Sequence, residues 1–248
     1  MIEVSQLHKS FGQQQVLRGV NMKIDRGESV VIIGGSGCGK SVLLRHIIGL
    51  VQPDEGDVKI DGQSIADLSE RELIKVRRKF GMLFQGSALF DSLTVEENVG
   101  FLLDREQTMS PEAIRETVAD ALELVDLGGT QGKKPAELSG GMKKRVGLAR
   151  AIVYKPEIIL YDEPTTGLDP VVADSIDQLV IKMRDQLKCT TIVVTHDTRS
   201  MRRVGNRVML LHHGRIHANG TPEEIFNSTD PIVNKFVNGI ADPKDLEF

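Results

Sequence analysis

The 248-residue sequence contains only two cysteines, Cys38 and Cys189. Two thiols so far apart give neither a disulfide framework nor the spacing of a zinc site, and they suit a reducing compartment. The sequence also has no run of about 18 apolar residues and no heptad repeat, which argues against a membrane-spanning helix or a coiled coil. It has no signal segment at its amino terminus. We therefore expect a soluble chain that is not exported.

Charge of one sign is not in excess either. Lys and Arg number 31 and Asp and Glu number 35, so the formal net charge is −4. A general nucleic-acid binder has a marked positive excess, and we expect no nucleic-acid partner. At this length a single domain with lobes, covering 1–248, is the expected organisation.

Two kinds of strand pattern are present. "IEVSQLHKSF", "VLRGVNMKID" and "DVKIDGQSI" alternate apolar and polar residues, and the third contains an Asp-Gly turn, as half-buried antiparallel strands do. Three short segments are continuously apolar, which is typical of parallel strands buried on both faces: "SVVIIG" at 29–34, "EIILYDE" at 157–163 and "TTIVVTH" at 190–196. The sequence therefore predicts an α/β fold with a mostly parallel sheet and an antiparallel part.

A helical lobe is predicted between the strands. Residues 86–155 lack comparable strand runs, and apolar residues recur there at helical spacing, at Ile114, Val118, Leu122 and Val125. We expect this lobe to be inserted into a core formed by residues 1–85 and 156–225, with a helical tail at 226–248. Asp169-Pro170 is typical of the start of a long helix.

"GGSGCGKS", from Gly34 to Ser41, fits the Gly-x4-Gly-Lys-Ser/Thr phosphate loop, with an apolar strand before it and a helical segment after it. Glycines let successive backbone amides point at the β- and γ-phosphates, and the helix start adds partial positive charge. Lys40 would neutralise phosphate charge, and Ser41 would ligate Mg²⁺. A purely structural glycine turn explains this pattern less well.

Polar residues follow the predicted buried strands. "IILYDEP" ends in Asp162, which can hold Mg²⁺ through water, and Glu163, which we predict to be the general base. Two solvated loop carboxylates are the alternative. His196 follows "TIVVT" at the strand edge where ligands of α/β sheets bind. Gln85 follows "FGMLF", and on its own it is equally well explained as polar surface.

"LSGGM" is a second phosphate-type turn. A Ser-Gly-Gly turn at a helix start presents a hydroxyl and backbone amides to an anion, but it has no lysine or metal ligand, so it can bind phosphate without catalysing. It would serve the nucleotide of its own chain or that of a partner chain, unless Ser139 is an ordinary helix cap. Met142, Val146 and Ala149 fall at helical spacing, which predicts that methionine packs in an apolar stripe.

Taken together, residues 1–225 resemble the ATP-binding subunit of an ABC transporter, a phosphate-loop NTPase with a RecA-like core sheet. "GGSGCGKS" resembles the Walker A loop, "IILYDE" Walker B and "LSGGM" the signature motif. The resemblance implies that Phe11 stacks on adenine, that Gln85 senses Mg²⁺ and the membrane subunit, and that His196 is the switch histidine. The implied ATP contacts along the Walker A segment are Gly34, Gly35, Ser36, Gly37, Cys38, Gly39, Lys40, Ser41 and Val42.

The resemblance also implies a homodimer in which two ATP molecules are sandwiched between two copies of the chain. Ser139 and the amides of Gly140 and Gly141 would close on the partner's γ-phosphate, and the loop Gly167-Leu168-Asp169 would cross the interface. The usual fifth signature residue is glutamine, whereas this sequence has Met142. A contact assigned to that glutamine is therefore not expected here.

A narrower resemblance is to Mla-type phospholipid ABC systems, which work with Mce-domain lipid-binding proteins. It rests on Met142, "QGSALFDSLTVEENV" and "DPIVNKFVNG". It implies an integral-membrane permease, a phospholipid cargo and a peripheral position on the cytoplasmic face of the inner membrane. Leu89, Phe90 and Leu93 could line the groove for the permease, or pack in the core of the helical lobe.

Other functions remain open on the sequence. Within the same family they are amino-acid import, lipoprotein release and cell division. A soluble ATPase acting on DNA or ribosomes usually has two such domains or a long coiled coil, and a kinase would leave "LSGGM" without a task.

Overall fold

The computed structural model describes residues 1–240. Its fold is α/β, with one antiparallel sheet, one mostly parallel mixed sheet and a group of helices inserted between strands. This confirms the predicted fold class. Within the described range the strands are β1 (Ile2–Phe11), β2 (Gln14–Ile24), β3 (Ser29–Ile33), β4 (Glu55–Ile60), β5 (Gln63–Ser64), β6 (Phe80–Leu83), β7 (Ile158–Asp162), β8 (Thr190–Val194), β9 (Arg207–His212) and β10 (Arg215–Gly220).

The helices of the same range are α1 (Lys40–Ile47), α2 (Glu70–Arg77), α3 (Val95–Glu106), α4 (Pro111–Leu124), α5 (Gly140–Ile152), α6 (Pro170–Leu187), α7 (Thr198–Val204), α8 (Pro222–Phe226) and α9 (Pro231–Val237), with a short 3-10 helix at Pro135–Glu137. Helices α8 and α9 lie in the tail predicted at 226–248 or just before it. Residues 241–248 of that tail lie outside the described residues.

The chain divides into two compact units. The first unit comprises residues 1–77 and the chain from Ile192 onward, and it contains the phosphate-loop segment. The second unit is Arg78–Thr191, which contains "LSGGM" and "IILYDE". Across both units, no helix of the described chain is long and apolar enough to cross a membrane.

The antiparallel sheet of the first unit has the order β2-β1-β4-β5. Ile2 pairs with Ile24 of β2, and Ile2 and Val4 are buried on the same face, as the alternating sequence predicts. The register shifts between Val4 and Leu7, where Gln6 has a φ of 47°. This irregularity returns Leu7 to the buried face although it lies three residues after Val4.

The mixed sheet contains β3 and β6 to β10. All five residues of β3 are buried, and β3 pairs in parallel with β9, Val31 opposite Val208. In the second unit β6 and β7 are parallel, with Leu83 opposite Tyr161. The continuously apolar segments are thus strands covered on both faces, and their carboxyl ends lead into the polar residues of the candidate site.

Helix α5 packs closely on β6 within the second unit. A Cβ at Gly147 would lie 2.7 Å from Leu83 Cδ1, and a Cβ at Gly81 would lie 2.1 Å from the carbonyl oxygen of Ala151. Two glycines, one on each element, therefore allow the helix to lie directly against the strand. This packing brings α5 beside the loop that follows β6.

Candidate functional site

The glycine loop of residues 34–39 connects β3 to α1 in the first unit. A Cβ at Gly34 would lie 2.3 Å from the carbonyl oxygen of Leu211, and one at Gly39 would lie 2.8 Å from Leu17 Cδ2. Gly39 also has a φ of 105°, in the region that favours glycine. Both positions lack room for a side chain, so the loop keeps its course only with glycine there.

Lys40 is the first residue of α1 and is buried. Its Nζ donates hydrogen bonds to the carbonyl oxygens of Gly34, at 2.9 Å, and Gly35, at 3.0 Å. The ammonium is therefore held against the loop, at the partially positive end of the helix. A fixed cation and a helix start in one place favour the binding of phosphate groups.

The remaining residues of the segment 34–42 differ in exposure. Ser36 and Gly37 are exposed, whereas Cys38, Ser41 and Val42 are half-buried. The Cys38 thiol lies beside the loop backbone, since a Cβ at Gly34 would be 2.7 Å from its Sγ. The exposed tip of the loop is thus formed by small residues that do not obstruct the approach of a ligand.

Two further predicted residues belong to the first unit. Phe11 ends β1, its side chain is 50% exposed, and Lys9 Nζ lies 5.7 Å from its ring centroid. His196 follows β8 and is exposed. The next residue, Asp197, caps α7 by accepting a hydrogen bond from the amide of Arg199 at 2.8 Å. The cap fixes the backbone immediately after His196.

Asp162 and Glu163 lie at the end of β7 in the second unit, and both are buried. Glu163 has a φ of 51°, a conformation that residues other than glycine seldom adopt. Thr166 Oγ1 donates to Glu163 Oε2 at 3.0 Å and so fixes the carboxylate. Strained backbone of this kind persists only where its surroundings impose it, and it concentrates at functional sites.

The predicted serine turn is a helix start. Ser139 caps α5, with its Oγ accepting from the amide of Met142 at 3.3 Å. Met142 is half-buried, while Val146 and Ala149 are fully buried, which matches the apolar stripe expected for this helix. A Cβ at Gly140 would meet nothing closer than 3.5 Å. This glycine therefore leaves the face of the turn open.

The loop after Glu163 leads into α6. Gly167 has a φ of 81°, and Leu168 donates from its amide to the carbonyl oxygen of Thr165 at 3.3 Å. Asp169 is exposed and caps α6, accepting from the amides of Val171 and Val172. The carboxylate of Asp169, which the resemblance places at a dimer interface, is thus oriented by the first amides of α6.

Gln85 follows β6 with an exposed side chain, and its backbone carbonyl accepts a hydrogen bond from Lys144 of α5. Lys144 also donates to the carbonyl oxygen of Glu163 at 3.2 Å. Burial lowers the pKa of the Lys144 ammonium, and the carboxylates of Glu163 and Asp162 act in the opposite direction. One buried cation therefore joins two of the predicted site residues.

A second cation of α5 holds the same loop. Arg150 donates to the carbonyl oxygens of Ser87, at 2.5 Å, and Ala88, at 2.7 Å. These two loop residues have φ values of 60° and 46°. The arginine thus stabilises a left-handed stretch of backbone two residues after Gln85.

The structure distributes the predicted site residues over both units. The first unit contains Phe11, the segment 34–42 and His196; the second contains Gln85, the segment 139–142, Asp162, Glu163 and the segment 167–169. Lys144, Arg150 and Thr166 were missed from the sequence. Lys144 lies three residues before Gly147, on the face of α5 that packs on β6, and this placement is visible only in the structure.

A buried strand that runs into a glycine loop, a lysine held on that loop, and a buried strand ending in two carboxylates define a phosphate-loop nucleotide-binding protein. The family model described as "ABC transporter" matches residues 17–166. The chain belongs to the ATP-binding subunits of the ABC transporter family. It is therefore an ATP hydrolase whose reaction is coupled to transport, as the resemblance implied.

Three curated relatives are similar over nearly the whole chain. The chloroplast protein TRIGALACTOSYLDIACYLGLYCEROL 3 of Arabidopsis thaliana is 42% identical over 98% of this chain and 74% of its own length. The probable ribonucleotide transport ATP-binding protein mkl of Mycobacterium leprae is 44% identical over 96% of this chain and 69% of its own length. The intermembrane phospholipid transport system ATP-binding protein MlaF of Haemophilus influenzae is 39% identical over 98% of this chain and 92% of its own length.

Among solved structures, the ATP-binding cassette MJ0796 is similar in a dimeric, post-hydrolysis state bound to ADP and Pi. It superposes with a TM-score of 0.82 at 37% identity, covering 90% of this chain and 99% of that one. The similarity confirms the fold and, with the family match, the expectation that the chain binds ATP.

Proposed function

We propose that this chain drives phospholipid transport as the ATP-hydrolysing subunit of an Mla-type system. The observation that supports the cargo is the match to MlaF of H. influenzae, which extends over 98% of this chain and 92% of that protein. The name of the Arabidopsis relative also refers to a glycerolipid. Ribonucleotide transport is the second candidate, because the M. leprae relative, which is 44% identical, is named a probable ribonucleotide transport protein.

The first unit would hold most of the nucleotide. Lys40 is already fixed on the loop by Gly34 and Gly35, so it can pair with phosphate oxygens without a large loss of side-chain freedom. The glycine loop from Gly34 to Gly39 would surround the β- and γ-phosphates with its amides. Phe11 is exposed and aromatic, and it would stack on the adenine.

The donor set fits Mg²⁺ bound together with ATP. No cluster of three or more His, Cys, Asp or Glu side chains that could hold a metal occurs within residues 1–240. Mg²⁺ in ATPases is commonly held by a few protein oxygens, water and the phosphates themselves. The hydroxyl of Ser41, the buried carboxylate of Asp162 and the amide of Gln85 would supply these oxygens. The ion would neutralise charge on the phosphates.

Glu163 is the proposed general base. Its carboxylate would accept a proton from the attacking water as the water oxygen bonds to the γ-phosphorus and ADP departs as the leaving group. The hydrogen bond from Thr166 to Oε2 would hold this carboxylate in a fixed orientation. His196, exposed beyond β8, would contact the γ-phosphate and report its presence.

A second copy of the chain would complete each site. The dimeric relative MJ0796 supports this arrangement. Ser139, Gly140 and Gly141 would contact the γ-phosphate bound by the partner, and the Asp169 loop would lie at the interface. Met142 would take no part in nucleotide binding, since the apolar stripe of α5 accounts for it.

The permease would dock on the second unit. Helices α3 and α4 border a groove of about 370 Å³ whose lining includes Leu93, Phe101 and Ile114. Phe90 is 44% exposed, and its ring centroid lies 4.6 Å from that of Phe101. The groove is also lined by the charged residues Glu96, Glu97, Asp104, Arg105 and Arg115, so it would suit a segment of an integral-membrane protein that carries both apolar and charged side chains. The chain would then lie peripherally on the cytoplasmic face of the inner membrane, in a complex that includes an Mce-type lipid-binding protein and no nucleic acid.

Purification from native membranes tests the cargo. The chain should copurify with an integral-membrane protein, and the complex should contain phospholipid detectable by mass spectrometry. In reconstituted vesicles, ATP should drive the transfer of labelled phospholipid. ATP-driven uptake of ribonucleotides without lipid transfer would favour the second candidate and refute the first.

The chemistry is tested with Glu163→Gln in that complex. ATP binding should persist while kcat falls by about 10²- to 10⁴-fold, the usual contribution of a general base. Glu157→Gln is the matched control, since Glu157 is an exposed carboxylate directly before β7. Normal turnover in Glu163→Gln would remove this residue from its proposed role.

A further inference from the structure

Lys144, the buried lysine of α5, connects three segments of the second unit: α5 itself, the residues that follow β6 and the residues that follow β7. Lys144 is only 5% exposed, and its ammonium donates to the backbone carbonyls of Gln85 and Glu163. The first carbonyl follows β6, and the second follows β7. A lysine has three donors on one compact head group, so it can bond both carbonyls at once. It binds the backbone of these segments, whereas Thr166 donates to the Glu163 carboxylate.

Lys144 holds Glu163, whose backbone is in an unfavourable conformation, and it also holds the start of a loop that contains such backbone. Glu163 has a φ of 51°, and the loop after Gln85 has two consecutive left-handed residues, Ser87 and Ala88. Without an external constraint such residues relax toward more common dihedral angles. Within the second unit, Arg150 constrains the far side of the loop through Ser87 and Ala88. Lys144 constrains the near side, together with Glu163.

The lysine is also placed to connect this backbone to the serine turn. Lys144 lies five residues after Ser139, which is about 7.5 Å along the axis of α5. A helix of this length is stiff compared with a loop. A displacement of the Ser139 turn would therefore be transmitted to the carbonyls of Gln85 and Glu163.

We infer that Lys144 is a positioning residue for ATP hydrolysis: it fixes the backbone of Gln85 and Glu163 to α5, so that the loop, the base and the serine turn move together. This inference rests on the roles proposed above for Gln85, Glu163 and Ser139. It predicts that the loss of Lys144 impairs the chemical step while ATP binding by the first unit is retained.

The test compares Lys144→Met with Lys144→Arg in the copurified membrane complex. Methionine keeps the length and apolar stem but has no donor, and arginine restores donors. Lys144→Met should lower kcat by about 10- to 100-fold with KM for ATP changed less than about twofold, because small displacements of a reacting group cost rate more than binding. Lys144→Arg should recover most of that loss.

Lys143→Met is the matched control, since Lys143 is the neighbouring lysine of α5 and is only half-buried. Its kcat should equal that of the wild type. Hydrogen exchange gives a second readout: Lys144→Met should speed exchange in peptides covering residues 85–88 and 163–166, while peptides of α3 and α4 stay unchanged. If Lys144→Met is insoluble, Lys144→Leu, which also has no donor, is measured in the same way.

Wild-type kcat in Lys144→Met or Lys144→Leu would overturn the inference, as would a loss in Lys144→Met that arginine does not rescue. A loss accompanied by faster exchange throughout the second unit would also overturn it, since that indicates general destabilisation. The Glu163→Gln variant distinguishes a failure of the inference about Lys144 from a failure of the proposed function. If Glu163→Gln is inactive and Lys144→Met is normal, only the role of Lys144 is refuted.

Discussion

Gly141 lies directly against Val172: a Cβ at Gly141 would be 2.6 Å from Val172 Cγ1. The contact joins the first turn of α5 to the first turn of α6, just after the Asp169 cap. At Gly140 the nearest atom to a Cβ would be Leu168 Cδ2, at an ordinary contact distance of 3.5 Å. The two glycines of the serine turn therefore have different structural requirements, which a pair of alanine variants can separate.

Gly141→Ala should lower the free energy of unfolding by about 1–3 kcal/mol, because Val172 or the helix must move to admit the methyl group. Gly140→Ala should stay within about 1 kcal/mol of the wild type, since the site has room and alanine favours a helix. Urea unfolding of the two variants measures the difference. A Gly141→Ala variant as stable as Gly140→Ala would show that the contact relaxes without cost.

The assignment of Ser139 to a partner's nucleotide can be tested by complementation. Ser139→Arg and Lys40→Ala should each be inactive alone, since the first blocks the serine turn and the second removes the phosphate-loop cation. In a mixed dimer, the intact phosphate loop of the Ser139→Arg chain would face the intact serine turn of the Lys40→Ala chain. Mixing the variants should therefore restore part of the ATPase activity.

If the serine turn instead served its own chain, neither subunit of the mixed dimer would have a complete site. The mixture would then remain as inactive as its components. Different affinity tags on the two variants control for the exchange of subunits, because capture of one tag should recover the other chain if heterodimers form. Inactivity of the two-variant mixture despite that exchange would contradict the proposed dimer.

Cys38 offers a chemical probe of the phosphate loop. It is half-buried beside Gly34, whereas Cys189 is buried and its pKa is raised by burial. Because the thiolate is the reactive form, an alkylating reagent should modify Cys38 and leave Cys189 intact. Alkylation should inhibit the ATPase, and ATP should protect against it.

Peptide mapping by mass spectrometry identifies the modified thiol. The Cys189→Ala variant is the control and should lose activity on alkylation as the wild type does. Equal labelling of Cys38 in the presence and absence of ATP would contradict the placement of nucleotide on this loop.

The sequence was sufficient for the parts of the fold that depend on local pattern. The apolar run "SVVII" predicts a strand covered on both faces, and β3 is one. Asp169-Pro170 predicts the start of α6, and Asp169 caps it. Local pattern also predicts the serine turn at 139–142, because capping involves residues within one helical turn.

The role of Lys144 depends on contacts that no local pattern contains. In "GGMKKRVGL" it is the second of three consecutive basic residues, which are typical of a solvated helix face. Its partners lie 59 and 19 residues away, at the ends of two strands whose neighbourhood is set by the packing of Gly81 and Gly147. The irregularity at Gln6 could not be predicted from local pattern either, since it depends on strand pairing in the antiparallel sheet.

His46 should make the stability of the chain depend on pH near neutrality. It lies in α1 with 1% of its surface exposed, and its Nδ1 is 2.8 Å from the carbonyl oxygen of Val42. Burial lowers the pKa of this imidazole; the charge of Lys9 acts in the same direction and that of Asp54 in the opposite one. In the unfolded chain a histidine has a pKa of about 6.5.

Below that value the unfolded chain binds a proton more readily than the folded one. The free energy of unfolding should therefore decrease as the pH decreases. The contribution is fully present above about pH 6.5 and is lost progressively as the pH decreases toward the lowered pKa of the folded state. Urea unfolding at pH values from about 7.5 to 5.5 should show a smaller decline for His46→Gln than for the wild type. An equal decline in His46→Gln would show that other groups set the pH dependence.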